Sequence, residues 1–98
     1  MLETAQPAVG ADPEFHGLLA SAYQRLNRHE DAAREYQSLL QAQPSEGHWW
    51  AGYGISRDAL GDKAGALDAY SHARSLGNLD QRLLDHINKR TAVLQSAG

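Results

Sequence analysis

Residues 47–62 read GHWWAGYGISRDALGD, and the same pattern of apolar and small residues returns when the chain is shifted by 34 positions. Phe15 then aligns with Trp49 and with Leu83. Other aligned positions are Leu19 with Tyr53 and Ile87, Leu26 with Leu60 and Leu94, Ala32 with Ala66, and Tyr36 with Tyr70. Within each unit the apolar positions have helical rather than alternating spacing. The sequence therefore predicts an all-α repeat protein.

Helix start and stop signals divide these repeats into five helices. Asp12 and Pro13 are good residues for a helix start, and Asn27 is a good left-handed stop. The helices are predicted over residues 13–26, 29–42, 46–60, 63–76 and 81–95. The expected caps of the later helices are Ser45, Asp62 and Asp80, and the expected stops are Gly61 and Gly77. Because the loops are short, consecutive helices are expected to pack antiparallel.

The chain of 98 residues has the length of one small domain. Residues 1–11 are small, contain Pro and Gly, and are predicted to form a flexible lead-in or linker. The domain is predicted over residues 12–98, with a first repeat at 13–46 and a second at 47–80. Residues 81–95 are expected to form a helix that caps the exposed side of the second repeat.

A period of 34 residues with two helices per unit is that of the tetratricopeptide repeat (TPR), and the residues resemble its consensus. Matching positions are Leu19, Ala20, Tyr23, Ala32, Tyr36 and Pro44 in the first unit, and Trp50, Gly54, Gly61, Ala66, Tyr70 and Ala73 in the second. His16, Arg57 and Asn78 depart from it. The resemblance covers about residues 13–95 and implies a TPR superhelix of two helix-turn-helix repeats plus a C-terminal capping helix.

The run from residue 47 to 55, continued at 59–62, also resembles the C-terminal TPR region of bacterial MSHA-type pilus biogenesis proteins. This resemblance implies a role in pilus or secretion-system assembly. It also implies a place on the periplasmic side of an inner-membrane protein, after a membrane anchor and a Pro-rich linker. The sequence includes neither the anchor nor the full linker. Two localisations therefore remain open. The chain is either the periplasmic region of a longer, membrane-anchored protein or a cytoplasmic protein.

Large aromatic and small apolar residues at repeat positions form the predicted core. This core consists of Leu19, Tyr23, Tyr36, Trp49, Trp50, Tyr53, Ala66, Tyr70 and Ile87. Tyr36 and Tyr70 are expected inside their own hairpins, and Trp49 and Trp50 at the junction between the two units. The alternative for the tryptophans is an exposed anchor for a partner, because tryptophan is enriched in binding hot spots.

The first helix of each hairpin is expected to line a concave groove that binds a protein or peptide partner. By helical phase, the groove residues are predicted to be Ser21, Gln24, Arg25, His48, Ile55, Asp58, Arg82, Asp85 and Lys89. Their mixed charge, with one apolar contact at Ile55, suits an extended or helical segment. Two alternatives remain: a dimerising module that pairs through its uncapped first helix, and a positioning domain of a longer membrane-anchored protein.

Composition argues against several other functions. The net charge of −3 supplies neither the basic surface of a nucleic-acid binder nor a polybasic membrane patch. The chain has no cysteine, which excludes disulfides and thiolate zinc sites, and its five histidines lack the three- or four-residue spacing of metal ligands on one helix face. No apolar run reaches the roughly 20 residues of a membrane span. No nucleophile has a base at a meaningful spacing, so the prediction is a non-enzyme without cofactor or metal.

Overall fold

The computed structural model describes residues 12–96, and within that range the chain forms five α-helices and no strand. The helices are α1 (Pro13–Arg25), α2 (His29–Ala42), α3 (Gly47–Ala59), α4 (Lys63–Leu76) and α5 (Gln81–Ser96). The predicted all-α class is confirmed. The bounds of α2 and α4 and the starts of α1 and α5 are those predicted, and the remaining helix ends differ by one residue. The lead-in predicted over 1–11 lies outside the described residues.

The expected capping residues begin three of the helices. Asp12 Oδ1 accepts a hydrogen bond from the Phe15 backbone N–H at 3.1 Å, and Asp62 Oδ1 accepts one from the Gly65 N–H at 3.0 Å. Asp80 accepts one from the N–H of Leu83 at 2.9 Å. Each bond satisfies a backbone N–H of the first turn that has no partner within the helix.

The predicted cap of α3, Ser45, is wrong. Glu46 is the capping residue, and its carboxylate accepts a hydrogen bond from the backbone N–H of His48 at 3.3 Å. The helix begins one residue later than predicted, so Ser45 lies in the preceding turn, one position too early to cap it.

Residues in the left-handed backbone conformation follow α1, α3 and α4, as predicted. The φ angles are 61° at Asn27, 82° at Gly61 and 73° at Gly77. Asparagine tolerates this conformation better than most residues, and glycine adopts it without steric cost. The chain therefore reverses direction within a few residues at each of these points.

Each helix packs against the next one along the chain, and α1 also contacts α3. One buried cluster lies mainly within the first hairpin and consists of Ala20, Tyr23, Ala32, Tyr36 and Leu39, with Leu19, Trp49 and Tyr53 packed against it. The second cluster joins α3, α4 and α5 and consists of Ala51, Ala66, Tyr70, Ala73, Ile87 and Leu94, with Trp50, Ile55, Leu67, Leu79 and Leu83 packed against it. All nine predicted core residues lie in or against these clusters, although Leu19, Trp49, Trp50 and Tyr53 are only half-buried.

Two aromatic rings reach neighbours in addition to those expected. Trp50 was predicted at the junction between repeats, and its ring stacks on His72 of α4 with 4.2 Å between ring centroids and 13° between planes. Its indole Nε1–H also donates to the backbone oxygen of Pro44 at 2.9 Å, so the ring contacts both the end of the first repeat and the second hairpin. Tyr36 was predicted inside the first hairpin, but its ring also lies against Gly52 of α3 and so closes the junction between α2 and α3.

Two residues that depart from the TPR consensus have polar partners. His16 is buried, and its Nδ1 lies 2.7 Å from Glu35 Oε1 on α2. Arg57 Nε donates a hydrogen bond of 2.9 Å to Asp62 Oδ2 across the turn after α3. The hydrogen bond to Asp62 raises the pKa of Arg57. The pKa of Asp62 is lowered, mainly by the hydrogen bond from the Gly65 N–H and secondly by the one from Arg57. Both side chains are thus held by contacts with acidic residues.

Candidate functional site

A continuous groove runs across α1, α3 and α5. Its first cavity has a volume of about 270 Å³ and is lined by Gly17, Ser21, Gln24, Tyr36, His48, Trp49, Gly52, Ile55 and Leu83. Its second cavity has a volume of about 570 Å³ and is lined by Ile55, Asp80, Gln81, Arg82, Leu83 and His86. Because Ile55 and Leu83 border both cavities, the two form one surface, here called the α1–α3–α5 groove.

Aromatic rings form part of the wall of the first cavity. The ring of Trp49 lies against Gly17, and the ring of Tyr36 lies against Gly52. A Cβ atom at Gly17 would come within 2.5 Å of the indole, so only glycine allows the ring to lie this close to the helix. The Trp49 and Tyr36 centroids are 6.4 Å apart with the planes tilted by 41°. The indole Nε1–H donates to Gln43 Oε1 at 2.7 Å, which fixes the ring.

Gln24, one of the predicted groove residues, links two helices. Its Nε2 donates to the backbone oxygen of Gly52 at 3.0 Å and to Ser56 Oγ at 2.9 Å. Both N–H groups of the amide are therefore used between α1 and α3. Nearby, burial raises the pKa of Tyr36 and outweighs the hydrogen bond with Ser21, which acts in the opposite direction. Gln24 borders the groove but acts as an internal connection.

Asp58, another predicted partner contact, links α3 to α5. Arg90 donates to it through Nε at 2.7 Å and Nη2 at 2.8 Å, and the Tyr70 hydroxyl donates at 3.0 Å. The Asp58 side chain is only 12% exposed. The hydrogen bonds from Arg90 lower the pKa of Asp58, and this effect outweighs the opposite effect of burial. The pKa of Tyr70 is raised, mainly by burial and secondly by the neighbouring charge of Asp58. Asp58 is thus occupied by contacts within the fold.

These two connections occupy the same places in successive repeats. When the chain is shifted by 34 positions, Gln24 aligns with Asp58 and Ser56 aligns with Arg90. Each bond spans 32 residues, from one odd-numbered helix to the next. The α1–α3 junction uses a neutral amide and hydroxyl, and the α3–α5 junction uses a charged pair. The repeat seen in the apolar residues therefore extends to polar contacts between helices.

The remaining predicted groove residues divide into two groups. Ser21, His48, Ile55 and Arg82 line the groove. Arg25, Asp85 and Lys89 are exposed on α1 and α5 but line neither cavity.

His48 and Arg82 differ in their surroundings. The two ring nitrogens of His48 face carboxylates, with Nδ1 3.1 Å from Glu46 Oε1 and Nε2 3.8 Å from Asp80 Oδ2. The guanidinium of Arg82 lines the second cavity. It makes no hydrogen bond or ion pair to another residue in the range 12–96, so its charge is free to meet a ligand. Arg82 is therefore the charged group best placed to meet a partner.

Sequence reasoning assigned Tyr36 and Trp49 to the core and did not commit Leu83 to the groove. The available signal was glycine inside a helix, since Gly17 and Gly52 mark places where something approaches the backbone closely. Helical phase alone does not reveal which ring from which neighbouring helix does so.

The chain matched no protein-family model and no curated protein. In the described range 12–96, no helix is long and apolar enough to cross a membrane. Across the same residues, no three His, Asp or Glu side chains are grouped so that they could hold a metal ion.

Proposed function

We propose that this protein is a non-catalytic scaffold of the TPR type that holds a segment of a partner protein in the α1–α3–α5 groove. The observation that carries the proposal is that two cavities share Ile55 and Leu83 and cross the first helix of each successive unit. In support of the TPR arrangement, the 34-residue shift relates α1, α3 and α5 to one another, and equivalent side chains join them.

The lining of the groove indicates the chemistry of the segment. Trp49, Ile55 and Leu83 are half-buried and supply apolar contact area to the first cavity. The second cavity places Arg82 and His86 beside Ile55. An apolar side chain in the first cavity, followed by polar or acidic groups near Arg82, would satisfy both parts. We infer an extended or helical peptide segment as the bound form.

The biological setting follows from the resemblance of residues 47–62 to MSHA-type pilus biogenesis proteins. We propose that the partner belongs to a bacterial pilus or secretion system and that binding takes place on the periplasmic side of the inner membrane. If the resemblance is coincidental, the same groove would serve a cytoplasmic assembly.

Site-specific photo-crosslinking tests the groove directly. A photoreactive residue replaces Arg82 in the groove or, as the control, Lys63 on α4. Both side chains are exposed in the first turn of a helix and have no side-chain partner among residues 12–96. After exposure in the source bacterium, a discrete protein should be joined at position 82 and not at 63. Crosslinking to one protein at 63 only would refute the groove.

Charge reversal supplies a second, independent readout. Arg82→Glu should weaken capture of the crosslinked protein. Lys63→Glu, which changes the charge by the same amount in the first turn of α4, should not. Equal capture by both variants would exclude Arg82 from recognition.

A further inference from the structure

The first helix carries an apolar face that no other helix covers within residues 12–96. Leu18 is 73% exposed and Leu26 is 67% exposed, the highest values among the large hydrophobic residues described. Ala22 is exposed between them, and Phe15 is half-buried. These four residues lie on one side of α1 by helical spacing and are here called the α1 open face.

The second repeat shows what this face is suited to contact. Leu18 corresponds to Gly52, which lies under the ring of Tyr36 from α2, and Ala22 corresponds to Ser56, which is fully buried. The equivalent side of α3 is thus covered by a packed helix. The α1 open face carries larger apolar residues than its counterpart and remains exposed. Its shape and composition therefore suit contact with another helix.

Ala22 differs from its equivalents in a way that limits the choice of helix. Ser56 and Arg90, one and two repeats later, take part in the hydrogen bonds that join α1 to α3 and α3 to α5. Ala22 has no such polar group, so the open face lacks the hydrogen-bonding partner found at both internal junctions. A helix that binds there must use apolar packing and the charges on the flanks.

The charges on the flank of α1 are arranged so that two antiparallel copies of the helix would bring opposite charges together. Glu14 lies in the first turn of α1 and Arg25 in the last turn, and both are exposed. Neither side chain has a hydrogen bond or ion pair with another described residue. By helical phase the two lie on the same flank, about 16 Å apart along the axis. When two copies of a helix pair antiparallel about a twofold axis, each flank meets the same flank of its partner in reverse.

We propose that α1 pairs antiparallel with α1 of a second copy of this chain, about a twofold axis between Leu18 and Ala22. Glu14 then meets Arg25 of the partner subunit at both ends, and Leu18 packs beside the partner's Ala22. The small alanine side chain allows the helices to approach closely where the leucines interdigitate. The partner helix also covers the recess of about 360 Å³ that Glu14, Leu18 and Trp49 form.

The expected dimer is weak, because its interface is one face of a 13-residue helix, about 20 Å long. Such a face buries less than the roughly 1,000 Å² typical of stable interfaces. Dissociation constants of about 10 µM to 1 mM are therefore expected.

Sedimentation equilibrium of the full chain over about 10 µM to 1 mM tests the proposal. Wild type should approach the dimer mass with rising concentration, and Leu18→Glu should remain monomeric. Lys63→Glu, whose site lies on α4 away from this face, should behave as wild type. Circular dichroism would verify that each variant keeps its helices, as expected because Glu14, Leu18 and Arg25 are exposed.

A charge swap distinguishes this arrangement from other dimers. Glu14→Arg and Arg25→Glu should each weaken association about tenfold, because each places like charges together at both ends of the interface. The double variant Glu14→Arg/Arg25→Glu exchanges the charges and should restore most of the wild-type affinity. A monomer throughout the range, a Leu18→Glu variant that dimerises normally, or a double variant weaker than either single would each overturn the proposal.

Discussion

Replacing Asp58 by alanine should destabilise the junction of α3, α4 and α5 more than any other single polar substitution there. The change removes the acceptor of two Arg90 hydrogen bonds and of the Tyr70 hydroxyl. Tyr70 is fully buried, so its hydroxyl would lose its partner without gaining easy access to water. A buried polar group left unpaired costs about 1–3 kcal/mol. We therefore expect the free energy of unfolding to fall by about 2–3 kcal/mol.

Urea denaturation followed by tryptophan fluorescence and far-UV circular dichroism measures this change. A loss of 2–3 kcal/mol should lower the melting temperature by about 10–20 °C in a domain of this size. Asp58→Asn keeps an acceptor for Tyr70 and should cost about half as much. Asp85→Ala, which removes an exposed carboxylate on α5, is the control and should change stability by less than about 0.5 kcal/mol.

A double-mutant cycle identifies the cause. In a Tyr70→Phe background there is no hydroxyl to leave unpaired, so Asp58→Ala should cost clearly less than in wild type. The pH dependence has a definite sign as well. Arg90 holds the pKa of Asp58 below its usual value of about 3.9, so this carboxylate stabilises the fold above that pH and its contribution is lost as pH falls through the lower, folded-state value.

The stability gap between wild type and Asp58→Asn should therefore be constant near neutral pH and shrink below about pH 4. An Asp58→Ala effect smaller than about 0.5 kcal/mol would refute the reasoning, since effects of that size are typical of exposed sites without partners. An equal cost in the Tyr70→Phe background would also contradict it, because the orphaned hydroxyl would then contribute nothing.

Three further substitutions test the packing and the first junction. Gly52→Ala places a methyl group against the Tyr36 ring and should cost about 1–3 kcal/mol by overpacking, measured by urea denaturation; an unchanged midpoint would show that the ring moves freely. Gln24→Ala removes the donor to the buried Ser56 hydroxyl and should cost about 1–3 kcal/mol, with increased hydrogen exchange in α1 as the second readout. Tyr70→Ala should cost about 3–5 kcal/mol of the roughly 5–15 available and abolish cooperative melting; a shift of only two degrees would contradict that.

Helix positions and most caps could be predicted because their causes are local. Asp12, Asp62 and Asp80 each cap a helix whose start the sequence marks within a few residues. The failure at α3 has a local cause too. Ser45 and Glu46 are adjacent, both carry an oxygen that can accept a bond, and the first turn decides between them. One-residue differences of this kind are the usual limit of sequence reasoning about helix ends.

The neighbours of the aromatic rings could not be predicted in the same way. Helical phase places Tyr36 and Trp50 on apolar faces, which is where they lie. It does not determine whether a ring reaches its own hairpin or the next, because that depends on the crossing of the helices and on the space a glycine leaves. Gly52 provides that space for Tyr36, and His72 provides a flat surface for Trp50.

Two polar residues of the predicted groove have internal contacts that helical phase alone does not reveal. Gln24 and Asp58 lie at predicted groove positions, and each is also bonded to a residue 32 positions later. The 34-residue shift aligns Gln24 with Asp58 and Ser56 with Arg90, so the sequence does contain the signal, but only when the period is applied to polar pairs. An acid and an arginine at this spacing are complementary, as are an amide and a hydroxyl.

The same reasoning explains why the groove can be both fixed and open. The two repeat-related bonds hold α1, α3 and α5 side by side, with α3 bonded to α1 through Ser56 and to α5 through Asp58. The polar groups they use are no longer available to a ligand. What remains around Ile55 and Leu83 includes the polar side chains of Asp80, Arg82 and His86. Specificity would then come from side chains that stacking does not require. Substitutions there should therefore alter binding without the loss of stability expected at Asp58.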